Sequence, residues 1–282
     1  MTINDAGGTG SQIDTAMNYQ EICTRMAGIA REAGNFIRNE RESLSLTDVE
    51  TKSKASLVTY VDKTSERMIV QALRDLLPGS GFVTEEGTAG RAGEDRVWII
   101  DPLDGTTNYI HGIFPYSVSI ALMDKGELVA GVVYELGQDE LFRAWKGSAT
   151  FLNGKEIRVS ESVHSVDTLI GTGFPYYDFD RVGDYIGAMK ELMGKTRGLR
   201  RMGSAAVDLA YVAAGRFDAF FEHALHAWDV AAGALILRQA GGKVTDFNGG
   251  DNWLFGGEIV AAGANYLPEF YEIVHRYLGR RE

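Results

Sequence analysis

Residues 98–108 read Trp98-Ile99-Ile100-Asp101-Pro102-Leu103-Asp104-Gly105-Thr106-Thr107-Asn108, and the rest of the chain can be placed around them. Val97 to Ile100 form a continuous apolar run, which suits a strand buried on both faces. Asp101 and Pro102 stop the run. Proline has no N–H, and Asp104, Gly105 and two threonines offer a loop that can cap a following helix. Two carboxylates three residues apart thus sit at a strand's carboxyl end beside backbone donors. Held so close, they repel each other and raise one pKa unless a cation or a shared proton relieves them. Oxygen-only donors match a hard cation such as magnesium. Taken alone, an Asp-x-x-Asp string reads more readily as a turn.

The remaining composition narrows the classes of function. The chain has 282 residues, 45% hydrophobic and 24% charged with 5 prolines, enough for one large or two moderate cores. Lysine and arginine number 28 against 39 acidic residues, a formal charge of −11 with no basic block, which argues against direct nucleic-acid binding. The single cysteine, Cys23, excludes an intramolecular disulfide framework and a Cys-rich zinc site. It fits a reducing cytoplasm and lies on a helix face as a core residue. The longest nearly uncharged segments, near Val230 to Leu237 and Ile259 to Tyr266, are too short to cross a bilayer. Residues 1–14 lack the pattern of a secretory signal and read as a flexible tail.

Before the central stretch, apolar spacings of three and four predict a helix over 17–41. Thr51 to Ser56 reads as a Lys- and Ser-bearing loop, Leu57 to Val61 as a strand, and Lys63 to Leu77 as a helix with Asp62 near its start. Phe82 and Val83 form a short strand delivering Thr84, Glu85 and Glu86. After the central stretch, strands over 117–122, 128–134 and 140–145 form an antiparallel meander, with a turn at Asn153-Gly154. A compositional change near 160–166 opens a second part of the chain, with boundaries at 15–162 and 163–282. There, helices over 179–192, 203–214, 230–239 and 267–278 alternate with strands over 168–172, 217–222, 243–246 and 259–262. Arg200-Arg201 reads as a basic bend. His223 and His226, just before the Trp228-Asp229 pair, read as packed or hydrogen-bonded rather than as ligands, given the hard oxygen donors already present.

Thr84-Glu85-Glu86, Trp98 to Asn108, Gly203-Ser204-Ala205-Ala206-Val207-Asp208 running on to Glu222, and Ala227-Trp228-Asp229-Val230-Ala231-Ala232-Gly233 together resemble the inositol monophosphatase family. The resemblance spans nearly all of the chain beyond its N-terminal tail. It implies an α/β fold, a five-layered αβαβα sandwich with a mainly antiparallel N-terminal sheet. It also implies one compact catalytic unit, a homodimer, lithium sensitivity and a magnesium-dependent phosphomonoesterase with two or three Mg2+ per active site. Carried over position by position, Glu85, Asp101, the carbonyl of Leu103, Asp104 and Asp229 form the metal shell. Thr106 and Glu85 position the attacking water, with Asp62 supporting the threonine. Gly105, Thr106 and Thr107 contact phosphate, and Ser204, Ala205 and Glu222 contact the substrate's hydroxyl-bearing ring. Lys52 lies in a loop whose length departs from the family pattern.

The chemistry agrees with this placement, because bound metal ions relieve the charge that protects a phosphate monoester, lower the pKa of water and stabilise the leaving alkoxide. Direct attack by metal-activated water is expected; a phospho-aspartate on Asp101 fits less well, since a DxD string would favour it. The partner implied is a small phosphorylated polyol or sugar, myo-inositol monophosphate first. Fructose 1,6-bisphosphate, 3′-phosphoadenosine 5′-phosphate and histidinol phosphate are the alternatives. A regulatory binding protein on the same fold, with a role in RNA metabolism, is the competing class. Arg200 and Arg201 are open between a second anionic group on the substrate and surface or dimer contacts.

Overall fold

The computed structural model describes residues 18–41, 49–53, 56–89, 95–174 and 179–280. The tail expected over 1–14 and the side chain of Lys52 lie outside the described parts. In chain order the elements are α1 (Tyr19–Arg41), β1 (Val49–Ser53), β2 (Ser56–Thr59), α2 (Tyr60–Leu76), β3 (Gly81–Thr84) and β4 (Arg96–Asp104). Next come α3 (Thr106–His111), β5 (Ser117–Asp124), β6 (Glu127–Glu135), β7 (Glu140–Trp145), β8 (Thr150–Leu152), β9 (Lys155–Ile157) and β10 (Leu169–Thr172). The chain continues through α4 (Val182–Lys195), β11 (Gly198–Arg200), α5 (Ala205–Ala213), β12 (Ala219–His223), α6 (Ala227–Gln239), β13 (Gly242–Thr245), β14 (Glu258–Gly263) and α7 (Leu267–Leu278).

Alternation along the strands sorts these elements into layers. In β4, Trp98 and Ile100 enter one core with Met26 and Ile37 of α1 and Ile69 and Leu73 of α2. Val97 and Ile99, one residue out of phase, enter another core with α5 and α6. That middle core also takes Phe220, Ile259 and Ala261 from the second sheet. The opposite face of the second sheet, with Phe221, Val260 and Ala262, packs on Tyr185 and Leu192 of α4 and Phe270 and Val274 of α7. Five layers result, αβαβα. The first sheet has the order β3-β4-β5-β6-β7-β8-β9, and only β3 and β4 pair in parallel. The second has the order β11-β10-β12-β14-β13, parallel in its first three strands and antiparallel in the rest. Among the described residues no helix is long and apolar enough to cross a membrane.

Four local readings need correction. Within the stretch expected as a loop at 51–56, Thr51 to Ser53 and Ser56 lie in an antiparallel β1–β2 pair, with Thr51 opposite Leu57 and Ser53 opposite Ser56. Val49, Thr51, Val58 and Thr59 are β-branched and favour the extended pair despite the polar composition. Helix α2 begins at Tyr60, so Asp62 lies inside its first turn. The basic segment at 198–200 pairs in parallel with β10 and supplies that sheet's edge strand.

The fourth correction matters most for function: β4 runs through Asp101 to Asp104. Its register on β5 jumps from Asp101 opposite Ser119 to Asp104 opposite Ser117. Three steps on β4 therefore face two on β5, which is one extra residue and a β-bulge. In an unbroken strand, residues three apart face opposite sides. The bulge, next to a proline that cannot donate to the ladder, returns both aspartates to the side of Ser117 and Ser119.

Candidate active site

Each of Asp101, Asp104 and Asp229 has a carboxylate oxygen within 4.8 Å of the others'. Asp101 and Asp104 are 2% and 8% exposed, so solvent contributes little to screening these two from each other, while Asp229 is half-buried. Burial is the largest cause of a carboxyl held well above the usual range at Asp101. Glu85, then Asp104 and Asp229, add repulsion to it. Burial likewise raises Asp229, with Asp104 the next cause and the His226 N–H, 2.6 Å from Asp229 Oδ2, opposing. Burial also raises Asp104, but only to about 6, because the Ser204 hydroxyl (2.6 Å) and the Ala206 N–H (2.9 Å) both donate to its Oδ2. These are the signs of a set of anionic oxygens gathered for a cation.

The fold also explains how the halves meet. Ser117 and Ser119, the β5 partners of the two aspartates, reach across to the middle helical layer. The Ser119 hydroxyl donates to the Trp228 carbonyl at 3.2 Å, beside Asp229. Ser117 Oγ lies 3.3 Å from Ser204 Oγ at the N-cap of α5. Sequence reading gave neither serine a role; two hydroxyls on alternate positions of an otherwise apolar strand were the available signal.

Beyond Asp104 the backbone turns sharply into α3. Gly105 adopts φ 91°, and a Cβ there would meet the carbonyls of Gly203 and Pro115 at 3.1 Å. Only glycine fits that turn. The Thr106 hydroxyl lies 3.0 Å from both Asp62 Oδ1 and the Leu103 carbonyl. Asn108 donates to the carbonyls of Pro115 (2.7 Å) and Met202 (2.8 Å), tying α3 to the segment before α5. Thr107 follows Thr106 in the first turn of α3.

Of the remaining expected residues, Glu85 follows the end of β3 and adds its charge to the aspartate cluster. Ser204 and Ala205 are buried, and the serine hydroxyl is directed at Asp104. Glu222 ends up on the same side, close enough for Asp104 to raise its pKa. Burial is the larger cause, and Arg201 opposes it, leaving Glu222 at about 8. Asp208 was not singled out from sequence, although an aspartate in an otherwise apolar helix was visible. It is 1% exposed, Oδ1 has no hydrogen-bond partner among the described residues, and burial, then Glu222 and Asp104, raise it well above the usual range. Cys23 is fully buried, its thiol pushed up to about 12 by burial, and belongs to the core.

The three converging carboxylates, Asp101, Asp104 and Asp229, suit a hard divalent cation, with no sulfur or imidazole among them. Comparison with known proteins points the same way. A sequence model described as the inositol monophosphatase family matches residues 18–278. A protein named putative Nus factor SuhB from Neisseria meningitidis serogroup B is 42% identical over 250 residues, covering 88% of this chain and 96% of its own. An inositol-1-monophosphatase from Mesorhizobium japonicum is 42% identical over 258 residues, covering 91% and 97% respectively. Among solved structures, the extragenic suppressor protein suhB of Bartonella henselae superimposes with a TM-score of 0.83 at 38% identity, covering 89% of this chain and 97% of that one.

Proposed function

The chain belongs to the inositol monophosphatase family, and from that premise we propose that it hydrolyses myo-inositol monophosphate to inositol and phosphate with Mg2+. The observation that carries the reading is the convergence of Asp101, Asp104 and Asp229 beside the Thr106–Asp62 pair. Glu85, Asp101, the Leu103 carbonyl, Asp104 and Asp229 would hold the metal, two or three ions in all. When bound, the metal offsets the negative charge of the phosphate, lowers the pKa of water and stabilises the departing alkoxide.

The chain's own groups bind and orient. Thr106 has one hydroxyl proton; directed at Asp62 Oδ1, it leaves the oxygen lone pairs to accept a hydrogen bond from the attacking water. Glu85 accepts the water's second hydrogen bond, which fixes its direction for in-line displacement. The N–H groups at Gly105 to Thr107 receive phosphate oxygens. Glu222, Ser204 and Ala205 face the alcohol side, with Glu222 accepting from a ring hydroxyl. No protein nucleophile is needed.

A panel of inositol 1-phosphate, fructose 1,6-bisphosphate, 3′-phosphoadenosine 5′-phosphate and histidinol phosphate, with and without Mg2+, tests this. Inositol 1-phosphate is expected to give the highest kcat/KM, and only with metal. Equal or faster turnover of another ester removes the inositol assignment, and turnover unaffected by metal removal would sink the mechanism. Lithium is expected to inhibit, and sedimentation to show a homodimer. A second reading, a regulatory role alongside catalysis, is favoured by the name Nus factor carried by relatives 42–45% identical. A complete carboxylate set is not needed for binding alone, so the two roles would coexist.

A further inference from the structure

We propose that Glu66 is a positioning residue for the metal centre: it anchors the loop that carries Glu85, and so sets how tightly that carboxylate engages a divalent cation. The proposal rests on the functional reading above. Asp62, Ser65 and Glu66 lie three and four residues apart on α2, which puts them on one helix face, and all three are fully buried. Each reaches a different segment of the site. Asp62 accepts from Thr106 at 3.0 Å, and the Ser65 hydroxyl donates to the Pro102 carbonyl at 3.2 Å, inside the β4 bulge.

Glu66 grips both sides of Glu85. Its Oε1 accepts from the Thr84 hydroxyl at 2.9 Å and from the Thr88 N–H at 2.7 Å, and its Oε2 accepts from the Glu86 N–H at 2.7 Å. Two backbone amides and a hydroxyl on one buried carboxylate are charge-assisted bonds, shorter and stronger than neutral ones. Apart from this, the loop is polar, begins at the end of a four-residue strand and includes Gly87 at φ 67°. The buried acceptor fixes the backbone on both sides of Glu85 and so restrains where its carboxylate points. Outer-shell partners of this kind typically change metal affinity by about 10–100-fold when removed.

The substitution Glu66→Gln keeps the volume but replaces one acceptor oxygen by an NH2 group, which then opposes an N–H. Calorimetric titration of the metal-free protein with Mg2+ is expected to give binding weaker by about 10-fold or more. The Mg2+ concentration for half-maximal turnover should shift by a similar factor, kcat should recover at saturating metal, and amides 84–88 should exchange faster. In a Glu85→Gln background the same change should have no further effect on affinity, as expected for a residue acting through Glu85. Thr84→Val, nearly isosteric and away from the helix, should shift affinity in the same direction by less, and it supplies the measurement if Glu66→Gln does not fold. Wild-type affinity in folded Glu66→Gln, or in Thr84→Val if only that variant folds, overturns the proposal. An effect that simply adds to that of Glu85→Gln also overturns it. Wild-type protein that binds no Mg2+ overturns the functional reading itself, and this proposal with it.

Discussion

Two strand-to-helix junctions supply the aspartates, and they do so in different ways. From β4 to α3 the chain places Asp101 and Asp104 by a bulge, then turns at a left-handed glycine, so both carboxylates and Thr106 come from six consecutive residues. Their crowding is local, and Asp104 is relieved by donors from α5. From β12 to α6 a single carboxylate, Asp229, arrives from more than a hundred residues further along the chain. It does two jobs at once: its Oδ2 accepts the N–H of His226 at the start of α6, and its carboxylate joins the cluster. The first junction crowds several polar groups into one short stretch. The second adapts an ordinary helix-start residue, where acidic side chains are favoured anyway.

The sharpest way to break this comparison is at Asp101. Asp101→Asn should lower turnover by more than about a hundredfold, beyond what loss of an outer-shell partner does. It should also raise the Tm of the metal-free protein at neutral pH, since it removes one of several mutually repelling carboxyls. A fall in Tm would mean that the cluster is structural rather than strained for a ligand.

At the second junction the two jobs can be separated. Asp229→Asn should abolish turnover to a similar degree but keep the helix start, because an asparagine oxygen can accept from the His226 N–H. Asp229→Ala should lose both, unfolding about 1 kcal/mol more easily than the asparagine variant. Equal melting of the two variants would show that the capping bond contributes nothing.

A smaller effect should follow from pH. A carboxyl with a folded pKa above its unfolded value keeps its proton in the native state after the unfolded chain has released it, so stability falls as pH rises between the two values. An unfolded glutamate titrates near pH ~4.3, while Glu222 is pushed up to about 8 and Asp208 is raised well above its usual range. Carboxylates held low, such as Glu191 and Glu269, have already delivered their stabilisation below pH ~5. The metal-free protein should therefore melt at lower temperature as pH goes from 5 to 8, and Glu222→Gln should flatten the upper part of that decline. A Tm that rises over the window contradicts the assignment. Mildest in its effect on activity, Ser204→Ala removes one of the donors to Asp104 and should cost about 1.5–3 kcal/mol of stability, the range for a hydrogen bond to a charged group, with turnover reduced but present.

Much of the α/β order was legible because burial imposes periodicity. The meander from Ser117 to Trp145 and the helices at 17–41 and 267–278 were readable from their apolar spacing. The bulge was not, since Asp101 and Asp104 look wrongly phased until β5 is seen opposite them. The β1–β2 pairing was hidden by lysine and serine in a polar segment, and β11 by arginine. Among site residues, Asp101 and Asp104 were legible from local spacing, whereas Glu85, Asp62 and Asp229 drew their roles from a family resemblance. Ser117, Ser119, Glu66 and Asp208 were missed. The two serines and Glu66 reach residues distant in sequence, and one sequence does not report such a contact.

The most direct measurement is an anomalous difference map from crystals soaked in Mn2+, which replaces Mg2+ at oxygen sites and scatters strongly enough to be located. Peaks bounded by Glu85, Asp101, Asp104, Asp229 and the Leu103 carbonyl are predicted, with carboxylate oxygens as the nearest protein atoms. No peak among these residues, with the metal held elsewhere or not at all while phosphatase activity persists, would contradict the claim that the two junctions together build the metal site.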